Sequence, residues 1–318
     1  MTVLSFPIEK YEGTGNDFII IDEWRRELVP ETGKPIVVRK LCERSGSVGA
    51  DGALFWSRSQ RADGRMRVFN ADGSEAEISG NGMRCLASYA YMKGDIRKTT
   101  VKIETLKGIT EVSIILGRGN RVDKVKVLFD APKFLAKDIP MIGDPYSKVI
   151  DGYFFVDERI GSLKVTILSI GNPHVVHFVD DLSQVNVETV GKSLESHPAF
   201  PRRTNVSFVQ VDSRNSFRII TFERGVGITL SCGTGIAAST IVGAMTDRLD
   251  KNVQITVMTE GGELWSEAFE DKGEIAAYLI GAVRRVFSGR ATLEIIGGNV
   301  TCPGGVSIHD GVFYGDIN

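Results

Sequence analysis

Short runs of alternating apolar and polar residues recur along the chain, a period typical of half-buried β-strands. Turn residues separate the runs, for example at 12–16 and 61–64. Strands are predicted on both sides of the first turn within 3–22, at 53–56, 66–70, 100–105, 110–116, 123–129, 153–156, 164–170, 205–211, 217–223, 253–258, 263–267 and 274–281, and as a pair within 292–318. Helices are predicted at about 35–44, 79–93, 184–195 and 236–245. Many strands with few helices indicate an α+β fold in which each sheet curls around one buried helix.

The stretch 222–245 combines a predicted strand with a helix that begins directly after Cys232. Gly233 and Gly235 follow, and would let the backbone approach a ligand closely. A thiol at a helix N-terminus has its thiolate stabilised by unpaired amides and by the helix dipole, which can lower the pKa from about 8.5 to between about 3.5 and 7.5. The pattern therefore predicts a base or nucleophile beside a site for a carboxylate.

An earlier stretch repeats this pattern. Residues 69–86 align with 222–239 without a gap, and the alignment places Ser79 on Cys232. A Gly-Asn pair precedes each copy, at 15–16 and 171–172, and each pair is followed by an apolar strand. Self-similarity in the same order across two halves predicts duplicated domains facing one another across a cleft, with a helix N-terminus from each.

The domain boundary is expected in the Pro-containing stretch 131–146. The first half would comprise 1–133, completed by 282–318, and the second half 134–281. The predicted fold is thus α+β with two pseudo-symmetric domains, each with a curled, largely antiparallel sheet or barrel around a central helix.

The composition is that of an ordinary globular protein, with 318 residues of which 42% are hydrophobic and 25% charged, enough for two domain cores. A formal net charge of -2, with no Lys/Arg run interleaved with aromatics, argues against a nucleic-acid partner. The four cysteines lie far apart without CxxC or Cys/His metal spacing. This predicts free thiols in a reducing cytoplasm and no metal site.

Residues 225–246 carry no charge and are numerous enough for a membrane span. Their glycines, serines and threonines, and the change from strand to helix, favour a buried core instead. The N-terminal residues 1–13 lack a basic region followed by an apolar core, so no secretory signal is expected.

A series of short motifs resembles, in order and spacing, the diaminopimelate epimerases over roughly 6–289. The motifs are GTGNDF, GADG, FNADGSE, SGNGMRC, GNPH, RTNV and ERGVG followed by CGTG. Each alone is weak, and the ordered series is specific. The resemblance implies two similar domains, each a strand barrel around a central helix, and a cytosolic enzyme that converts LL-diaminopimelate to the meso form in lysine and cell-wall precursor synthesis. It also implies no pyridoxal phosphate, metal or nucleotide cofactor. The sequence does not reveal the oligomeric state, although dimers are common in the family, so a homodimer stays open.

The same resemblance implies roles for individual residues. Family members use two cysteines on opposite faces of the substrate α-carbon, and the matching positions here hold Cys232 and Ser79. His174 and Glu223 would support proton transfer near the reacting centre. The implied substrate contacts are the backbone amides of Gly80, Asn81, Gly233 and Thr234, which would meet the developing carboxylate charge, the side chains of Asn16 and Asn172, and a set for the remote carboxylate made of Asn70, Asn205 and Arg224.

Ser79 departs from the family pattern, which has cysteine there. An alcohol is a far weaker acid than a thiol, so Ser79 would relay a proton more easily than remove one, or would act only as a helix N-cap. Three interpretations stay open: a natural Ser/Cys pair, an engineered substitution that traps substrate, or a related racemase or one-base dehydratase with another substrate. A silent amino-acid-binding homologue is the alternative outside enzymes. Ile228, where the family usually has glutamate, removes a further carboxylate near the Cys232 helix.

Overall fold

The computed structural model describes residues 2–45, 47–129, 131–296, 299–302 and 306–311. The chain divides into two compact units, unit 1 with Met1–Lys126 and Ala282–Asn318 and unit 2 with Val127–Gly281. The division lies inside a strand rather than after residue 133, where the proline-containing stretch led us to expect it. The alternating run Val122–Phe129 continues across the division, so no change of composition marks it.

The elements of the first half are β1 (Thr2–Gly13), β2 (Asn16–Asp22), α1 (Lys34–Cys42), β3 (Gly52–Ser57), β4 (Gly64–Asn70), β5 (Glu75–Ala76), α2 (Gly80–Lys93), β6 (Thr100–Thr105), β7 (Gly108–Leu116) and β8 (Val122–Phe129). Those of the second half are β9 (Gly152–Asp157), β10 (Gly161–Ser169), β11 (Pro173–Phe178), α3 (Val187–Glu195), β12 (Asn205–Ser213), β13 (Ser216–Glu223), β14 (Gly227–Thr229), α4 (Gly233–Met245), β15 (Ile255–Thr259), β16 (Gly262–Asp271) and β17 (Glu274–Ala282). Strands β18 (Arg284–Ile296), β19 (Asn299–Thr301) and β20 (Val306–Gly311) follow, and β18 pairs antiparallel with β1.

The strands of the two units are connected in the same order. In unit 1, β2 pairs antiparallel with β1 and parallel with β3, β3 pairs antiparallel with β4, and β4 pairs antiparallel with β5 and parallel with β6. In unit 2, β10 to β15 repeat this series of pairings strand for strand. The helices fall at the same points, α1 and α3 after the second strand of the series, and α2 and α4 before the last. The predicted α+β class and its internal repeat are confirmed.

The central helix of each unit is deeply buried. In α2 every residue from Gly80 to Ala90 is buried, and in α4 every residue from Gly233 to Ala244. α2 packs against β1 to β4, and α4 against β10 to β12 and β16. A helix that is apolar all round needs such surroundings. The charge-free segment 225–246 is thus divided between β14 and α4, and none of the helices in the described ranges is long and apolar enough to cross a membrane.

A few element boundaries differ from the sequence predictions. Helix α1 ends at Cys42, because Glu43 has an extended ψ of 120°. Helix α3 begins at Val187 rather than 184, because the Asn186 side chain accepts a hydrogen bond from the amide of Thr189 at 3.0 Å and caps the helix there. Of the strand pair predicted within 292–318, residues 297–298, 303–305 and 312–318 lie outside the described residues.

Candidate active site

Ser79 is the N-cap of α2. Its backbone is extended, with φ −132° and ψ 120°, and its Oγ accepts a hydrogen bond from the amide of Gly82 at 3.1 Å. Its carbonyl accepts the amide of Met83 at 2.8 Å, which starts the helix. The hydroxyl therefore occupies the position in which serine caps a helix well.

Cys232 has the equivalent geometry at the start of α4. Its φ of −114° and ψ of 105° are also extended, and its Sγ accepts from the amide of Gly235 at 3.4 Å. Its carbonyl accepts the amide of Ile236 at 2.9 Å. A neutral thiol is a weak acceptor, so a cysteine cap contributes less to helix stability than serine does. Its presence at this position favours a chemical role over capping alone.

Each helix N-terminus also has beside it the asparagine of the preceding Gly-Asn pair, Asn16 in unit 1 and Asn172 in unit 2. In unit 1 the Nδ2 of Asn81 donates to the Oδ1 of Asn16 at 3.3 Å. In unit 2 the Nδ2 of Asn172 donates to the hydroxyl of Thr234 at 3.3 Å. The first amides of a helix have no partner within the helix, and the N–H groups at Gly80, Asn81, Gly233 and Thr234 belong to this first turn, where proteins bind anions.

The Cys232 side chain lies in a setting that keeps it protonated. Burial raises the pKa of this thiol well above its ordinary value, and the carboxylate of Glu223 raises it further. Hydrogen bonds from Thr234 and Gly235 act in the opposite direction with less effect. The expected lowering of this pKa by the helix N-terminus is therefore wrong, because desolvation outweighs the helix amides. The resting group is a thiol, which is an acid.

Replacing Glu223 with glutamine is expected to lower the pKa of Cys232, because it removes a negative charge beside the sulfur. The carboxamide oxygen still accepts the hydrogen bond that Thr229 Oγ1 now gives to Glu223 Oε1 at 2.6 Å. The pH dependence of Cys232 alkylation, followed by peptide mass spectrometry, should move to lower pH in Glu223→Gln. The exposed Glu158→Gln is the control, and an unchanged profile in Glu223→Gln would show that the carboxylate does not act on the sulfur.

His174 is fully buried on β11 and neutral. Burial, and then the positive charge of Arg224, lowers the pKa of His174 to about 3. Its Nε2 lies 3.1 Å from the Oδ1 of Asn172, and its Nδ1 has no hydrogen-bond partner among the described residues. The structure thus joins His174, Asn172, Thr234 and Cys232 in one series of polar contacts within unit 2.

Two of the three residues assigned to the remote carboxylate lie together. The buried Asn205 on β12 accepts the amide of Arg224 through its Oδ1 at 2.9 Å, and Nη1 of Arg224 donates to the carbonyl of Arg202 at 3.4 Å. Asn70 belongs to unit 1, where its exposed side chain donates to the hydroxyl of Ser74 at 3.0 Å.

Sequence reasoning missed Glu195 in this region. Its side chain is 4% exposed and its Oε1 accepts the amide of Gly225 at 2.9 Å, which fixes the turn that follows Arg224. Glu195 is the last residue of α3 and belongs to none of the motifs, so no local signal marked it.

Gly235 is required by packing within unit 2. A Cβ at this position would lie 2.9 Å from both Ser207 Oγ and Thr221 Oγ1. These two buried hydroxyls bond to each other at 3.3 Å and come from neighbouring strands β12 and β13. The helix can therefore lie this close to the sheet only with glycine there.

Gly235→Ala is expected to destabilise the protein by roughly 1–2 kcal/mol. Overpacking of a buried site typically costs about 1–3 kcal/mol, and the better helix propensity of alanine offsets part of it. Gly33→Ala is a matched control, because its Cβ would find its nearest neighbour at 3.8 Å. Denaturant midpoints measure both, and equal stability of Gly235→Ala and wild type would contradict the packing argument.

The other cysteines are placed for structure rather than proton transfer. Burial raises the pKa of both Cys42 and Cys85 to about 12, and Cys302 is partly exposed. Within the described ranges, His, Cys, Asp and Glu form no group of three or more that could hold a metal ion.

Sequence comparison shows the family. A family model described as diaminopimelate epimerase matches residues 8–134 and 166–286. A diaminopimelate epimerase of Methanothermobacter thermautotrophicus is 42% identical over 281 residues, covering 88% of this chain and 96% of the relative. One of Methanocaldococcus jannaschii is 40% identical over 296 residues, covering 88% and 97%. The chain belongs to the diaminopimelate epimerase family.

More distant solved structures share the fold. A hydroxyproline epimerase from Agrobacterium vitis superposes with a TM-score of 0.68 at 16% identity, covering 93% of this chain and 95% of that one. A phenazine biosynthesis protein from Bacillus anthracis superposes with a TM-score of 0.65 at 18% identity, covering 91% and 99%. The repeated unit described above is thus a fold that several chemistries share.

Two residues that differ from the pattern of the diaminopimelate epimerase family, Ser79 and Ile228, can be located in the structure. Ser79 retains the cap geometry of its counterpart Cys232, as described above. Ile228 lies in β14, is 41% exposed and pairs with Phe222. Its neighbour Thr229 donates a hydrogen bond from its hydroxyl to Oε1 of Glu223 at 2.6 Å.

Proposed function

We propose that the protein is a cofactor-independent, cytoplasmic epimerase that interconverts LL- and meso-diaminopimelate by proton transfer at the α-carbon, in lysine and peptidoglycan precursor synthesis. The observation that carries the proposal is the pair of equivalent helix N-termini, one capped by a thiol and the other by a hydroxyl. Family membership supports the substrate, and the adjacent Asn205 and Arg224 support a substrate with a second, remote carboxylate.

Cys232 acts as the proton donor of unit 2. Its thiol hydrogen passes to the carbanionic α-carbon, which forms the new C–H bond and leaves a thiolate. Gly235 and Thr234 then stabilise the thiolate by donating N–H and O–H bonds to sulfur. In the reverse direction the thiolate removes the same hydrogen, so one residue serves as acid and base.

The helix amides stabilise the charge that forms on the substrate carboxylate. Removing the α-hydrogen moves electron density onto the carboxylate oxygens, and the N–H groups at Gly233 and Thr234 are oriented for it before reaction. The equivalent groups at Gly80 and Asn81 are built into unit 1 in the same way.

Ser79 is the weak member of the pair. Its hydroxyl accepts the amide of Gly82, so an alkoxide formed there would be stabilised by that bond, but its formation from an alcohol is unfavourable at neutral pH. We therefore propose that Ser79 relays a proton and that turnover is slow. The same observation favours a second candidate, a one-base enzyme of this family in which Cys232 alone exchanges the α-hydrogen of an amino or imino acid.

Solvent deuterium exchange distinguishes these functions. Each diaminopimelate stereoisomer is incubated with the protein in D₂O, and the α-proton and isomer composition are followed by NMR. A two-base epimerase exchanges the proton of both isomers and converts one into the other. Exchange from one isomer without conversion indicates the one-base candidate, and no exchange from either indicates a silent amino-acid-binding protein.

A further inference from the structure

We propose that Arg84 and Asp51 are positioning residues that together fix the side-chain amides of Asn16 and Asn81. The inference rests on the proposed function, in which these two asparagines contact the substrate. It adds two residues to the site that neither capping nor proton transfer identifies.

Four side chains of unit 1 form a continuous series of hydrogen bonds. Nη2 of Arg84 donates to Oδ1 of Asn81 at 2.8 Å, and Nδ2 of Asn81 donates to Oδ1 of Asn16 at 3.3 Å. Nδ2 of Asn16 donates to Oδ2 of Asp51 at 2.8 Å. Outside the series, Arg44 donates to Oδ1 of Asp51 at 2.7 Å.

The chemistry of the two ends fixes the direction of the whole series. A guanidinium has only donors, so the oxygen of Asn81 must face Arg84. A carboxylate has only acceptors, so the nitrogen of Asn16 must face Asp51. The remaining oxygen and nitrogen then meet each other, and neither amide can turn over without opposing like groups at an end. Most asparagines lack this double constraint.

Arg84 forms no ion pair with any of the described residues. It is fully buried, and its four hydrogen bonds end on oxygens without formal charge: the carbonyls of Gly13 and Ala282, Thr14 Oγ1 and Asn81 Oδ1. Burial lowers its pKa to about 10, and its Nε has no hydrogen-bond partner among the described residues. An apolar side chain of similar size would avoid this desolvation.

Unit 2 lacks this cation. The alignment that pairs Ser79 with Cys232 pairs Arg84 with Ala237, and Asn81 with Thr234. In unit 2 the Nδ2 of Asn172 donates to the hydroxyl of the helix residue Thr234. In unit 1 the Oδ1 of Asn16 instead accepts from the helix residue Asn81. The directed series is therefore specific to the Ser79 half of the site, where it determines which amide atoms a zwitterionic substrate meets.

Steady-state kinetics of α-proton exchange test the proposal. Arg84→Gln and Asp51→Asn each allow an amide to turn over, and each is expected to raise KM about tenfold with a smaller change in kcat. Arg84→Lys keeps a donor-only end and is expected to recover most of the loss in KM. Arg67→Gln and Asp63→Asn are matched controls in unit 1, since their ion pairs contact neither asparagine.

The double variant separates positioning from a merely structural role. Hydrogen bonds join the side chains of Arg84 and Asp51 through the two asparagines, so the effects of Arg84→Gln and Asp51→Asn on KM should be less than multiplicative. Effects that multiply, or an Arg84→Lys variant no better than Arg84→Gln, would overturn the proposal.

A second measurement does not depend on turnover. In ¹⁵N-labelled protein, the side-chain amide hydrogens of Asn16 should exchange with solvent faster in Arg84→Gln than in wild type, although Arg84 does not touch Asn16. Unchanged exchange would overturn the proposal even if the enzyme is active. If wild type turns over neither diaminopimelate isomer, the proposed function fails, and this measurement still decides whether the series orients the amides.

Discussion

Ser79→Cys is expected to raise the rate of diaminopimelate epimerisation by about 10²–10⁴-fold, the range that a positioned general acid or base contributes. Ser79 and Cys232 share an extended backbone and accept the amide three residues further on, so a sulfur at position 79 keeps the cap and points as Cys232 does within its own unit. A thiol ionises far more readily than an alcohol, so residue 79, a poor base as serine, becomes a competent base as cysteine. The measurement is kcat for conversion of each isomer, with α-proton exchange in D₂O followed alongside.

Ser88→Cys is the matched control, because it makes the same change at a buried position within α2, away from its N-terminus. It should leave the rate as in wild type. If Ser79→Cys gives no increase, serine is native to a different chemistry at this position, and the one-base or silent functions are favoured over two-base epimerisation.

Cys232→Ser is expected to lower α-proton exchange by about 10²–10⁴-fold or more, because it removes the only thiol at either helix N-terminus. Serine is a good N-cap, so α4 should stay folded and the loss should lie in kcat rather than in stability. Thermal unfolding of the variant provides the check on folding. Cys302→Ser, at a partly exposed thiol outside the predicted site, should keep wild-type activity.

A variant that exchanges the two residues, Ser79→Cys with Cys232→Ser, sharpens this result. If the two positions serve opposite faces of the α-carbon, this double variant should replace the α-proton with deuterium in the stereoisomer for which wild type does so more slowly. If the double variant prefers the same stereoisomer as wild type, positions 79 and 232 do not each handle the proton on one face of the α-carbon. No exchange from either isomer would show that Ser79 cannot be replaced by a competent base.

Local features of the site could be predicted from the sequence because capping is a local interaction. The ungapped match of 69–86 with 222–239 places Ser79 and Cys232 at the same step before a helix, and both are N-caps with the same bond pattern. The Gly-Asn pairs likewise predicted that Asn16 and Asn172 occupy equivalent places, and each bonds the second residue of its central helix.

Other features depend on residues far apart in the chain. The packing requirement at Gly235 could not be predicted, because the hydroxyls that exclude a Cβ come from Ser207 and Thr221, on two strands whose pairing the motif does not encode. Arg84 stands within the motif SGNGMRC, yet nothing local shows that its donors reach residues 13, 14 and 282.

The sequence by itself thus determined the family, the repeated α+β unit and the position of each cap, since these follow from order, periodicity and short-range hydrogen bonding. Only the tertiary structure decided the protonation of Cys232. A helix N-terminus alone would lower the thiol pKa, but burial and the charge of Glu223 raise it. Desolvation depends on every neighbour that excludes water, and such neighbours are set by the packing of the whole unit rather than by adjacent residues.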